Sequence, residues 1–412
     1  MPTSSESIST IVAGGIQNPF PLYNELRELN NGIHWAGALG GGWLYTRYED
    51  IRRIYTEHET FSSEYYSDLH DGAYGPAVGE DRRFFDIFVQ QFMLTDPPAH
   101  TEIRSMLRGA FTRRYLQRWH SVITEVTAAT LNKFEPGSDV DVMTELAPVV
   151  PIAVIAAMLG VPPGDTERFR CWTDAFVATF NPTIAGAERD QYVATSLELF
   201  DYLADLVEYR RVNPADDLIT LAGTTPLGNG SPMTVTRAVA QLALLLAAGN
   251  ETTANLIGNG VTLLIENPCA QRELRGNPAL LAAGIEEMLR LDPPFHLLVR
   301  KVVKPTTVGG QPLRPGELCW QLIASANQDP RVFTDPYSFR LDRRNNPHLA
   351  FINGIHFCIG APLARMEGQI VFKHLLERYT HILAGAEPAV RKTQAIISRG
   401  WRTRPVSLAE AK

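Results

Sequence analysis

Cys358 lies in the stretch "AFINGIHFCIG", residues 350–360, two positions after His356 and at the mouth of a run with helical spacing. A thiol placed there feels the positive end of a helix dipole, which favours the thiolate. In that form it could act as a nucleophile or a metal ligand. It could equally be an inert core thiol, the commonest fate of a free cysteine. Structural zinc fits poorly, because it needs four ligands and no second Cys or His pair stands nearby. A second group is "AAGNETTA", residues 247–254, where Glu251, Thr252 and Thr253 interrupt an apolar run. Such polarity inside a buried helix is costly unless bonded, and a threonine can satisfy it by bonding a carbonyl one turn back. A third is "EEMLR", in which Glu287 and Arg290 share one helical face. Alone, such a pair is worth a few tenths of a kcal/mol.

The elements that must carry these residues can be read from periodicity. Residues 234–267 are apolar on most sides and predict a long buried helix. Residues 278–291 predict another, with Asn277 able to cap it and Pro278 at its first position. A third helix, over 362–379, follows Cys358. Residues 33–47 read as strand, glycine turn and strand, and 48–55 show helical spacing. Residues 61–92 read as mostly irregular with short helices, a long loop of the kind that is often functional. "DPPAH", residues 96–100, starts a helix. From 119 to 211 helix follows helix. Residues 297–323 read as short strands, 325–347 as coil, and the tail after 379 as β-rich. The chain is expected to be mainly α with minor β, one domain over 1–412, with about the first 15 residues loosely attached.

Composition limits the function classes. The chain has 412 residues and a net charge of −7, which does not suggest a nucleic-acid partner. Four scattered cysteines, Cys171, Cys269, Cys319 and Cys358, form no CxxC pair and point to a reducing compartment. The N-terminal stretch has no signal-peptide pattern. Residues 239–249, the most apolar run, fall short of the ~20 needed to span a bilayer. A cytoplasmic protein without a membrane partner is expected. No GxGxxG follows a strand, so a flavin or nicotinamide site is not indicated.

Taken together, the motifs resemble the cytochrome P450 family. "FINGIHFCIG" is similar to its cysteine-ligand loop, with Phe351, Gly354, His356, Cys358 and Gly360 at matching positions. The resemblance implies haem b (iron protoporphyrin IX) with Cys358 as axial thiolate, a ligand whose electron push favours O–O cleavage. It departs at one position. The family usually has glycine where this chain has Ile352, and isoleucine strongly disfavours positive φ. Either the backbone there is ordinary or the turn is remodelled. Gly249, Glu251, Thr252 and Thr253 resemble the family's oxygen-activation segment, which implies Thr252 as the hydroxyl for dioxygen, Glu251 as its link to solvent, Thr253 as structural, and Ala248 and Gly249 as cofactor contacts. Arg343, in "DPYSFRLDRR", matches the coil arginine that with Glu287 and Arg290 would brace the ligand loop. His100, Arg104, Arg300 and His356 match positions for the haem propionates. The implied fold is a single triangular α-rich domain, with haem between the long central helix and the cysteine-ligand helix.

The implied reaction is monooxygenation with O2, fed by ferredoxin and ferredoxin reductase, because no reductase is appended. Arg108, Arg113, Arg114 and Arg118 could meet an acidic redox partner or be a solvated basic face. Pocket candidates on the long helix are Leu244, Leu245 and Ala248. Others are Phe295, His296, Leu297, Leu298 and Val299 before Arg300, Ile396 and Ile397 on the terminal turn, and Phe176 and Phe180 as a roof. Their apolar and aromatic character predicts a hydrophobic small-molecule substrate. His296 could bond a polar substrate group or face solvent. Three readings remain: the monooxygenase; the same scaffold performing phenol coupling, ring closure or desaturation; and a non-enzymatic haem-thiolate sensor. A thiol hydrolase is more remote, since no base is evident beside Cys358.

Overall fold

Residues 238–247 are buried without a break, and this apolar stretch forms the first half of the helix Val235–Glu266. The computed structural model describes residues 4–13, 16–162, 164, 166–180, 184–392 and 397–410. Chain contacts divide it into two units. One comprises Met1–Phe61, Trp119–Pro151 and Glu251–Lys412; the other comprises Ser62–Arg118 and Ile152–Asn250.

In the first unit, Ile33–Trp35 pairs antiparallel with Trp43–Tyr45, which runs parallel to Leu318–Leu322. That strand pairs antiparallel with Leu297–Val302, and Phe61–Ser62 lies at the sheet's far edge. Helix Tyr48–Thr56 presses Ile51, Ile54 and Tyr55 into the core formed with Val302, Cys319 and Phe333. Helix Ala361–Arg378 packs against His120–Leu131 and against Leu281–Leu291. Close approach at this junction requires glycine. A Cβ on Gly260 of the long helix would lie 2.5 Å from Phe372 Cζ and 2.7 Å from Met288 Sδ. The tail strand Pro405–Glu410 pairs antiparallel with Asp139–Asp141 and with Tyr379–Ala384.

The second unit is helical. Where the sequence reads as mostly irregular with short helices, at 61–92, the structure has two short helices, Tyr66–Tyr74 and Gly79–Phe88, that fill most of the stretch. Phe84 and Phe88 sit four apart and anchor an aromatic core: Phe84 stacks on Phe200 at 5.7 Å, and Phe176 packs against Phe84, Phe88 and Phe200. Asn277 makes no side-chain cap; residues 278–280 form a 3-10 turn before the α-helix at Leu281. A second strongly apolar stretch runs over Val142–Leu159, through helices Val142–Glu145 and Val149–Leu159. It is long and apolar enough to cross a membrane, but 61% of it is buried inside the protein, as in a core helix.

Candidate functional site

Cys358 is half-buried, two residues before Gly360, which occupies the N-cap of helix Ala361–Arg378. Its loop is built by backbone bonds. Ile352 N donates to Leu349 O (2.8 Å), Cys358 N to Phe351 O (3.0 Å), and Phe357 N to Gly354 O (3.1 Å). The Asn353 side chain accepts from Gly354 N at 2.7 Å and starts the 3-10 turn Gly354–His356. Two residues take left-handed φ, Ile352 at 53° and Gly354 at 73°. Gly354 has no alternative, because a Cβ there would sit 2.2 Å from the backbone oxygen of Tyr55. Ile352 thus keeps the geometry of a glycine with a β-branched side chain. Its contact with the apolar cluster of Tyr55, Ile323 and Leu349 offsets part of the strain. Gly360 differs: its φ of −80° is ordinary and the nearest atom to a Cβ would be Cys358 Sγ at 3.9 Å.

Two charge clusters hold this loop's surroundings. Glu287 and Arg290 are wholly buried and joined at 2.8 and 2.9 Å. Glu287 also accepts from Arg343 Nε (2.8 Å), Asn346 Nδ2 (3.0 Å) and the backbone N of Arg340 (3.0 Å). Arg290 donates onward to the carbonyls of Asn327, Pro336 and Ser338. The second cluster escapes the sequence reading. Glu286 is gripped by Arg365 at 2.7 and 2.8 Å and by His348 at 3.0 Å. Burial alone would raise the Glu286 pKa, but the Arg365 and His348 bonds outweigh it and hold it down at about 2. Arg365 in turn lies over the Phe351 ring, 4.5 Å from its centroid. A bond from the ligand helix therefore reaches the helix 281–291 on the face next to Glu287.

Along the long helix, burial breaks at Ala248, which is exposed, and at Gly249, Glu251 and Thr252, which are partly accessible. Gly249 packs against Ile155; a Cβ would lie 3.2 Å from its Cγ1. Glu251 Oε1 accepts from Lys392 Nζ (2.9 Å) and Ser398 Oγ (3.0 Å). Thr253 is buried and hydrogen-bonded to Glu367, a 1%-exposed acid on the ligand helix. Burial pushes the Glu367 carboxyl up to about 8 despite that bond, so it is largely neutral at pH 7.

The cationic candidates fall in different settings. Arg300 is 7% exposed; it donates to the carbonyl of Val299 (3.0 Å) and lies over the Tyr55 ring. Among the described residues it has no acidic partner. His356 is partly buried. In the second unit, His100 is buried on helix Ala99–Arg108 and Arg104 is partly accessible one turn on.

The pocket candidates also separate. Phe176 is wholly enclosed in the aromatic core, while Phe180 keeps accessible surface beside Phe88. Leu244, Leu245, Leu297 and Val299 are buried; Phe295, Leu298 and Ile397 are partly accessible. Ile396 lies outside the described residues. His296 does not face solvent. It meets Tyr23 Oη at 3.0 Å and Asp292 at 3.3 Å, and Asp292 is bonded to Arg391 (2.9 Å) and Arg399 (3.2 Å). Burial pulls the His296 pKa down to about 4, against the raising effect of Asp292. Burial would raise Asp292, but Arg391 and Arg399 hold it far below the usual carboxylate range.

The family model for cytochrome P450 matches residues 77–399. Cytochrome P450 monooxygenase PikC of Streptomyces venezuelae is 35% identical over 376 residues, covering 90% of this chain and 86% of that protein. Polyketide biosynthesis cytochrome P450 PksS of Bacillus subtilis is 32% identical over 407 residues, covering 95% and 96%. Among solved structures, P450BioI in complex with a hexadec-9Z-enoic acid ligated acyl carrier protein aligns at TM-score 0.86. It is 28% identical, and the alignment covers 98% of this chain and 99% of that one.

Proposed function

Since this chain belongs to the cytochrome P450 family of haem-thiolate monooxygenases, we propose that it oxidises a hydrophobic acyl- or polyketide-type molecule, with electrons from a ferredoxin-type partner. The observation that carries the reading is Cys358 itself: a half-buried thiol in front of a helix N-terminus, in a loop whose left-handed turns are kept even at Ile352. The residues fit a haem. A thiol at a helix start suits a thiolate ligand, and the buried Arg300, whose partners here are a carbonyl and a ring, suits a carboxylate of the macrocycle.

When bound, haem supplies the redox centre for O2 activation. In this assignment Cys358 would hold the iron through its thiolate, and His100, Arg104, Arg300 and His356 would be the donors for the propionates. Phe351 and Gly354 shape the ligand loop, Gly360 opens the helix behind it, and Ala248 and Gly249 give close approach from the long helix. Thr252 would supply the hydroxyl for bound dioxygen, and Glu251 would link that hydroxyl to solvent as a proton donor. Glu287, Arg290 and Arg343 hold the ligand loop without touching the chemistry. Phe180, Phe295, Leu298 and Ile397, apolar with accessible surface, suit substrate contact. The relatives' printed roles in polyketide biosynthesis and with an acyl carrier protein support the substrate class.

The test is a spin-state titration of purified holoenzyme with long-chain acyl and polyketide compounds, then turnover of the binders with a surrogate ferredoxin system. Oxygenated product is expected, with Thr252→Ala releasing peroxide in its place. Equal coupling in the two proteins would count against the Thr252 assignment.

A further inference from the structure

Glu251 is held by a part of the chain that its sequence neighbourhood does not announce. Both bonds to its Oε1 come from the terminal turn between strands Val390–Arg391 and Trp401–Thr403: Lys392 Nζ at 2.9 Å and Ser398 Oγ at 3.0 Å. No described residue is bonded to Oε2. One oxygen thus carries both bonds. The Glu251 side chain is 16% exposed and that of Lys392 is 36% exposed, so the acid sits where protein interior meets solvent.

Residues 397–400 are themselves fixed on several sides. Asn255, one turn along the long helix, donates to Ser398 Oγ at 3.1 Å. The serine hydroxyl thus accepts from the helix and uses its own hydrogen on Glu251. Gly400 lies flat against Asn255, where a Cβ would sit 1.9 Å from its side-chain oxygen. The turn is also sewn to 294–296: Arg399 N donates to Pro294 O (2.7 Å), His296 N donates to Ile397 O (2.9 Å), and Ser398 bridges Phe295. The buried Asp292, bonded to Arg391 and Arg399, ties down its base.

We infer that Ser398 and Lys392 are positioning residues for the Glu251 carboxylate, so that the turn carrying Ile397 sets the orientation of the acid serving the oxygen site. The inference rests on the assignment of Glu251 above. Ser398 gives a direction-specific bond from a residue also held by Asn255, and Lys392 gives a charge-assisted one at the solvent edge. The placement of Ser398 beside Phe295 and Ile397, two candidate substrate contacts, makes the acid sensitive to what packs there.

The experiment compares four holoenzyme variants, Glu251→Gln, Ser398→Ala, Lys392→Met and Lys392→Arg, with two readouts. One is the share of reducing equivalents lost as peroxide. The other is the amine-labelling rate of Lys392, read by mass spectrometry without turnover. Ser398→Ala and Lys392→Met are expected to raise the peroxide share by about two- to tenfold, the size of one lost hydrogen bond, with substrate affinity little changed. Lys392→Arg should restore coupling, and Glu251→Gln should speed labelling of Lys392. Uncoupling by Glu251→Gln with wild-type coupling in Ser398→Ala and Lys392→Met would overturn the inference and leave the assignment of Glu251 standing. Wild-type coupling in Glu251→Gln would overturn both. Labelling of Lys392 that is indifferent to Glu251→Gln would also overturn the inference.

Discussion

Glu367, nine residues beyond Cys358 on the ligand helix, is hydrogen-bonded to Thr253, the residue that follows Thr252 on the long helix. The contact joins two segments of the site through a carboxyl with almost no solvent access. Its pKa, raised by burial to about 8, makes a stability prediction. In the unfolded chain the same group titrates in the ordinary glutamate range. Between that range and about pH 8 the folded state keeps a proton that the unfolded state has lost, so stability falls as pH rises through this window. Above it both states are ionised and the slope vanishes. Glu367→Gln, which keeps a bond to Thr253 without the titration, should flatten the pH dependence of Tm over this window and be the more stable protein at pH 8. Parallel Tm curves for the two proteins would contradict this.

The left-handed φ at Ile352 gives a substitution order opposite to the usual one. Ile352→Ala and Ile352→Gly both lose the contact with the apolar cluster, but only glycine relieves the backbone. The glycine variant should be about 0.5–1 kcal/mol more stable than the alanine variant, the left-handed penalty less the unfolded-state entropy of glycine. Chemical denaturation measures the difference; alanine at or above glycine would place the residue at ordinary φ.

Glu287 is the hub of a buried network with two guanidiniums. Glu287→Gln leaves Arg290 and Arg343 without their carboxylate, and should cost about 3–5 kcal/mol and loosen haem retention. Thermal unfolding and haem content of the purified variant check this. Unchanged values would reduce the network to a surface-like pair.

Arg108 and Arg113 are exposed on 99–119, in a stretch rich in arginine. Arg108→Glu with Arg113→Glu should slow ferredoxin-driven reduction, and more so at low salt, where steering is strongest. Unchanged reduction kinetics would leave this face as a solvated surface.

The ligand loop was readable through its resemblance to a family motif, since the position of Cys358 before a helix alone left its role open. Within the loop only Gly354 is forced by geometry, through the backbone of Tyr55. The long helix was legible from its unbroken apolar run. What stayed hidden depends on residues far apart in sequence. Glu286 finds Arg365 and His348 across 60 to 80 positions, and Glu251 finds Lys392 and Ser398 across more than 140. No local pattern marks such partners. His296 offered a titratable group to a pocket, and burial with Tyr23 and Asp292 took up both ring nitrogens. Short helices are expected in 61–92, but not that Tyr66–Tyr74 and Gly79–Phe88 take up most of it.

The central claim is axial ligation by Cys358. The measurement is the absorption spectrum of Cys358→Ser, purified with haem, reduced and exposed to carbon monoxide beside the wild type. Loss of the red-shifted thiolate Soret band, with the fold retained by circular dichroism, is the predicted result. A variant that keeps that band would contradict the account.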